Sequence, residues 1–172
     1  TQAVRNLLIH HNTVARVDSA DINTSGGFYS RSNGIGSNVS IRDNLIDGNN
    51  GRYGHGADFG SISSLPATFN YNGYFKNGAQ VSWAYNGVQS DSIGAWRTST
   101  GREANSQVFS SGPFVDRVNA NFRISAGHAA KTASSTGGEL GAYAGGEIVG
   151  VDVSGAAAGV IPPAAPRGGR LL

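Results

Sequence analysis

At 172 residues the chain is long enough for one domain with a real core. Its 26 glycines and a charged fraction of only 14% speak against long helices, and 13 basic residues scattered through a chain of net charge +2 lack the dense basic face that nucleic-acid binding needs. No cysteine is present, which excludes disulfides, and no apolar run is long enough to cross a bilayer as a helix.

Methionine is absent as well, even at position 1, so we expect residues upstream of Thr1 to have been removed or left out. The first patterned segment is NLLIHHNTV (6–14), in which apolar residues alternate up to Ile9 and an asparagine, Asn12, follows three residues later. Alternation is the period of a strand with one buried face, and asparagine tolerates the left-handed backbone of a sharp corner. After a Gly/Ser/Asn-rich excursion (18–37) the template returns as NVSIRDNLI (38–46), with Asn38, Ile41 and Asn44 in the places of Asn6, Ile9 and Asn12. A second excursion (47–64) leads to LPATFNYNGYF (65–75), where Phe69, Asn72 and Tyr74 take the same roles. One strand-and-corner unit about every thirty residues marks a solenoid. The glycine content excludes helical repeats, and leucine-rich spacing is missing. A parallel β-helix remains, in which Asn12, Asn44 and Asn72 would stack as a self-paired amide column beside a core column of Ile9, Ile41 and Phe69. Further along, QVSW (80–83) reads as a strand and DSIGAWRTSTG (91–101) as a short helix or turn.

SSGPFVDRVNANFRISAGHAA (110–130) and GGELGAY (137–143) carry a more specific likeness. The segment that closes many β-helices runs roughly Asp-Pro-x-Phe, a short gap, Asp-Phe-Arg-Leu, then Gly-Ser-Pro-Ala and Gly-x-Ile-Gly-Ala-Tyr. Pro113, Phe114, Asp116, Phe122, Arg123, Ile124, Gly127 and Ala129 or Ala130 occupy similar places, with Gly112 for the Asp and His128-Ala129 for Ser-Pro. The chain thus resembles the right-handed parallel β-helix family, which includes secreted bacterial pectate-lyase-like proteins. The resemblance implies an all-β solenoid: last coils with long loops over 1–111, a capping segment over 112–143, and an extended Pro/Ala/Gly-rich tail over 144–172. It also implies an exported protein, extracellular, on the cell surface or periplasmic.

Two functions follow as expectations. The first is the carboxy-terminal part of a bacterial protein that binds an acidic polysaccharide and, at full length, acts on it as a lyase. The second is a non-catalytic structural or assembly subunit that docks on a protein partner covering its first coil. A lyase needs a base to take a uronic-acid proton and a cation for the carboxylate, and stacked His10 and Arg42 are of those types, though no family's catalytic motif accompanies them. Adjacent His10 and His11 should point to opposite faces of a strand and so chelate a metal poorly, while a His11–Asp43 contact would raise the imidazole pKa. For sugar binding the candidates are Tyr29 and Arg31 in the first excursion and Arg52, Tyr53 and His55 in the second, since guanidinium grips carboxylate and rings stack on pyranose faces. Trp83 and Trp96 read as side chains packed near the end of the stack, with a sugar platform as the alternative. No cofactor is expected: Ca2+ would find only Asp18 with Asp21, or Asp47 with Asp58, at no recognised spacing.

Overall fold

The structure, a computed structural model, describes residues 5–17, 26–29, 38–48, 55–59, 66, 68–76, 81–85, 88–119 and 121–142. Each template copy makes two strands around a corner. The first copy gives β1 (Leu8–His10) and β2 (Thr13–Val17), with β3 (Gly26–Tyr29) after it. The second gives β4 (Ser40–Arg42) and β5 (Leu45–Gly48), followed by β6 (His55–Phe59). The third gives β7 (Thr68–Asn70) and β8 (Gly73–Lys76), followed by β9 (Ser82–Tyr85) and β10 (Val88–Ser90). A helix, α1 (Ile93–Thr100), precedes β11 (Gln107–Phe109), β12 (Phe114–Asp116) and β13 (Asn121–Ile124).

Within this set the local register is the one the spacing implies. Ile9 lies opposite Ile41 and Ile41 opposite Phe69 in the three-stranded parallel sheet β1-β4-β7. β2, β5, β8 and β11 form a four-stranded parallel sheet, and β3, β6 and β9 pair in parallel. The all-parallel solenoid does not follow from this, and that expectation is overturned. The described residues form separate small sheets of three and four strands plus two antiparallel pairs. The chain doubles back after β9, setting Val88 against Tyr85 and Ser90 against Trp83, and β12 and β13 make an antiparallel hairpin.

A solenoid would also have one core, whereas the described residues form two clusters. On one face of the β2-β5-β8-β11 sheet, Ile46 and Tyr74 join Val39, Ile41, Phe69, Val81, Trp83 and Trp96 in a first cluster. On its other face, Leu45, Phe75 and Phe109 pack against Phe114, Ile124, Ala130, Ala133 and Leu140. Residues 113–142 therefore clad the flank of a sheet. Each buried Ile, Leu or Phe in these clusters contributes roughly 1.5–3 kcal/mol. Gly73, opposite Leu45, has no room for a side chain: a Cβ there would stand 2.6 Å from both Leu140 Cδ1 and Phe109 Cε2.

α1 is too short to be stable alone. Ser92 Oγ caps it by accepting from the Ala95 N–H at 3.1 Å, Gly101 ends it at a φ of 65°, and buried Trp96 anchors it edge-on against Phe69 and Tyr85. Trp83 and Trp96 are thus core residues, 0% and 1% exposed, and offer no sugar platform.

Candidate functional site

The corners are built differently from the expectation that the asparagine itself is left-handed. The positive φ falls one residue earlier, at His11 (50°), Asp43 (60°) and Tyr71 (55°), which leaves the next residue's amide to satisfy the turn. The Asn12 backbone N–H and Nδ2 both donate to Asn44 Oδ1 at 3.0 Å. The Asn44 backbone N–H and Nδ2 donate to Asn72 Oδ1 at 3.1 and 3.0 Å. The same side chains reach back to the preceding strand, Asn44 Nδ2 to Ile9 O at 3.1 Å and Asn72 Nδ2 to Ile41 O at 3.2 Å. Every bond to an asparagine Oδ1 in the column therefore has one polarity: the earlier residue donates and the later amide oxygen accepts.

The later end of the column is closed. The Asn72 backbone N–H donates to Ser106 Oγ at 2.7 Å, and Gln107 lies opposite Gly73, so Ser106 holds the fourth corner position. Behind it, fully buried Glu103 accepts from the Tyr74 hydroxyl and Ser106 Oγ and from Asn72 Nδ2 at 3.3 Å. Arg97 ties the turn down by donating from Nε to Glu103 O at 2.7 Å and from Nη2 to Ser106 O. Burial pushes the Glu103 carboxyl up to about 7 despite the opposing bonds from Ser106, Tyr74 and Asn72 and the nearby Arg97 charge. Burial, and then the Glu103 charge, likewise raise the Tyr74 hydroxyl well above its ordinary value. The cluster is sealed from solvent, so it is a structural plug.

The earlier end is open among the described residues. Asn12 is exposed where Asn44 and Asn72 are 0% and 1% exposed. Ile9 and Val14 are half-buried where Ile41 and Ile46 are 3% and 2% exposed, and Leu7 and Leu8 are exposed. Among the described residues β1 pairs only with β4, and β2 only with β5. The segment from residue 5 to residue 17 holds Arg5, His10, His11 and Arg16 and no acid.

Several expectations for site residues change here. His10 does lie opposite Arg42, but the Arg42 guanidinium is engaged: Nη1 donates to Asp43 Oδ2 at 2.6 Å and to Ser135 Oγ at 2.9 Å. Asp43 accepts from the Ser135 N–H at 2.5 Å and from Ser135 Oγ at 2.8 Å, so its partners are Ser135 and Arg42 and not His11. His10 and His11 do not diverge, because the left-handed turn at His11 ends the strand alternation and sets their Nδ1 atoms 3.0 Å apart. Among the described residues no three His, Cys, Asp or Glu side chains gather to hold a metal ion, and no described helix is long and apolar enough to cross a membrane. The backbones of Tyr29 and His55 lie on adjacent strands, Tyr29 opposite Asp58 and His55 opposite Gly26, at opposite ends of the pair. Arg31, Arg52 and Tyr53 lie outside the described residues, as does the tail over 144–172.

Ser135, Ser106 and Glu103 escaped the sequence reading. Ser106 alone had a signal, since Val108 and Phe109 follow it as Tyr74 and Phe75 follow Asn72. No family model, no curated protein and no solved structure matches the chain, so none identifies a parallel β-helix family.

Proposed function

We propose that the protein is a non-catalytic docking module whose first template copy receives an extended segment of a protein partner. One contrast carries this reading: a single hydrogen-bonded column is plugged by Ser106 and Glu103 at one end and ends at exposed Asn12 on the other. An open strand edge with half-covered apolar residues is the surface that strand addition uses, with main-chain bonds giving affinity and alternate side chains giving specificity. Catalysis by His10 and Arg42 fits less well, because Asp43 and Ser135 already occupy the cation.

A second reading, acidic-polysaccharide binding by an exported protein, draws support from the basic, acid-free stretch around β1. Hydrogen exchange of the 172-residue chain with strand-forming peptides and, separately, with polyuronates tests both. Docking slows exchange of the β1 and Thr13 amides with peptides alone. Protection by polyuronates alone favours the glycan reading, and no protection by any peptide defeats docking.

A further inference from the structure

We infer that the partner segment is itself a copy of the template, extended and parallel to β1, with an asparagine placed to donate its backbone N–H and its side-chain amide to Asn12 Oδ1. This rests on the docking reading above and names the chemistry of its partner.

The polarity of the column carries it. In both complete steps, the earlier asparagine gives its backbone N–H and its Nδ2 to the Oδ1 of the later one. Asn12 already uses its own N–H and Nδ2 in this way, so its Oδ1 is the acceptor that a preceding template would fill. The reverse contact repeats as well. Asn44 Nδ2 reaches Ile9 O, three residues before Asn12, and Asn72 Nδ2 reaches Ile41 O, three residues before Asn44. Applied once more, Asn12 Nδ2, now on His10 O at 3.0 Å, would share its second proton with the carbonyl three residues before the incoming asparagine. The main chain continues the rule: Leu45 N–H donates to Asn12 O and Gly73 N–H to Asn44 O, both at 2.8 Å, so Thr13 N–H would donate to the incoming asparagine's carbonyl.

Side chains agree. An apolar residue three before the incoming asparagine would cover Ile9, as Ile9 covers Ile41. Charge agrees too, since an acid just before that asparagine, as Asp43 stands before Asn44, would lie over His11 in a stretch with no acid of its own. A second copy of the chain meeting β1 to β1 would instead bring like charges together.

The probe is a fluorescein-labelled synthetic peptide with the sequence of residues 38–46, NVSIRDNLI, titrated into the 172-residue chain by anisotropy. A second peptide has Leu in place of the asparagine equivalent to Asn44, and a third has Lys in place of the aspartate equivalent to Asp43. The Leu peptide should bind roughly tenfold or more weakly, since two hydrogen bonds are lost and Asn12 is buried unpaired. Asn12→Leu in the protein should abolish the difference between the first two peptides. Equal binding of the native and Leu peptides, with β1 amides protected by both, overturns the inference and leaves docking standing. Binding by neither, with no protection from any strand-forming peptide, defeats docking itself. Sedimentation showing copies paired through β1, with the native peptide unable to separate them, also overturns it.

Discussion

Asn72 donates its backbone N–H to Ser106 Oγ at 2.7 Å, the bond that Asn44 makes to Asn72 Oδ1 at 3.1 Å. The serine does for the third copy what each asparagine does for the one before, and being shorter it leaves space that Glu103 fills. The column is thus a graded environment, exposed at Asn12, dry at Asn44 and Asn72, and ending on a buried acid.

That gradient gives the first prediction. Asn44→Ala removes an acceptor for Asn12 and donors to Ile9 O, Arg42 O and Asn72 Oδ1, and leaves buried polar atoms unpaired, each costing about 1–3 kcal/mol. We expect a loss of about 2–4 kcal/mol in urea unfolding for Asn44→Ala and about 1 kcal/mol or less for exposed Asn12→Ala. Similar losses at the two positions would mean that the column is not the stabilising element.

Glu103 makes stability depend on pH. Its carboxyl sits at about 7 in the folded chain against an ordinary value of 4.5, so between those values the folded state binds more protons than the unfolded one, and stability falls as pH rises. The contribution is fully present below about pH 4.5 and lost through about pH 7, a change on the order of 3 kcal/mol. Glu103→Gln should flatten this part of the wild-type profile, whatever its effect on the mean, because Tyr74, Ser106 and Asn72 remain while the titration is gone. Parallel wild-type and variant slopes in denaturant titrations from pH 4 to 8 would show that another group titrates.

The flank tests the second core. A methyl at position 73 meets Leu140 Cδ1 and Phe109 Cε2 at 2.6 Å, so Gly73→Ala should cost about 1–3 kcal/mol by overpacking. Leu140→Ala alone should cost about 2–5 kcal/mol by leaving a cavity. The double variant should lose clearly less than the sum, since each change relieves the other. Additive losses would indicate that residues 113–142 do not press on this sheet in solution.

How much of this was legible follows from where the information lies. Ile9, Ile41 and Phe69 revealed their pairing because strand alternation and the fixed step of three residues from each to its asparagine are written residue by residue. The cladding of Leu45 and Phe75 by Leu140 and Ile124 depends on contacts far apart in sequence, which no local period encodes, whereas the turn after β9 is a local hairpin, Tyr85 against Val88, that lies outside the thirty-residue template. Asp43 is the clearest case. Its place beside Asn44 suggested a surface partner for His11, but its pairing with Ser135 spans 92 residues. A repeat therefore predicts its own ladder well and its outer covering poorly.

Asp47 extends the same lesson to a prediction. It shares the outer face of β5 with Leu45, is fully buried, and meets the Arg117 guanidinium from the flank segment. Taking Arg117 away leaves a buried carboxylate without that cation, and breaking such a pair typically costs about 3–5 kcal/mol. Arg117→Ala should therefore destabilise by about that amount in urea unfolding. Replacing both partners with apolar residues, Asp47→Leu with Arg117→Leu, should recover most of the loss, because the desolvation cost of both charges disappears together. If the double variant is as unstable as Arg117→Ala, the pair holds the flank in place by its geometry, and loss of protection at residues 121–124 in hydrogen exchange would then accompany both variants.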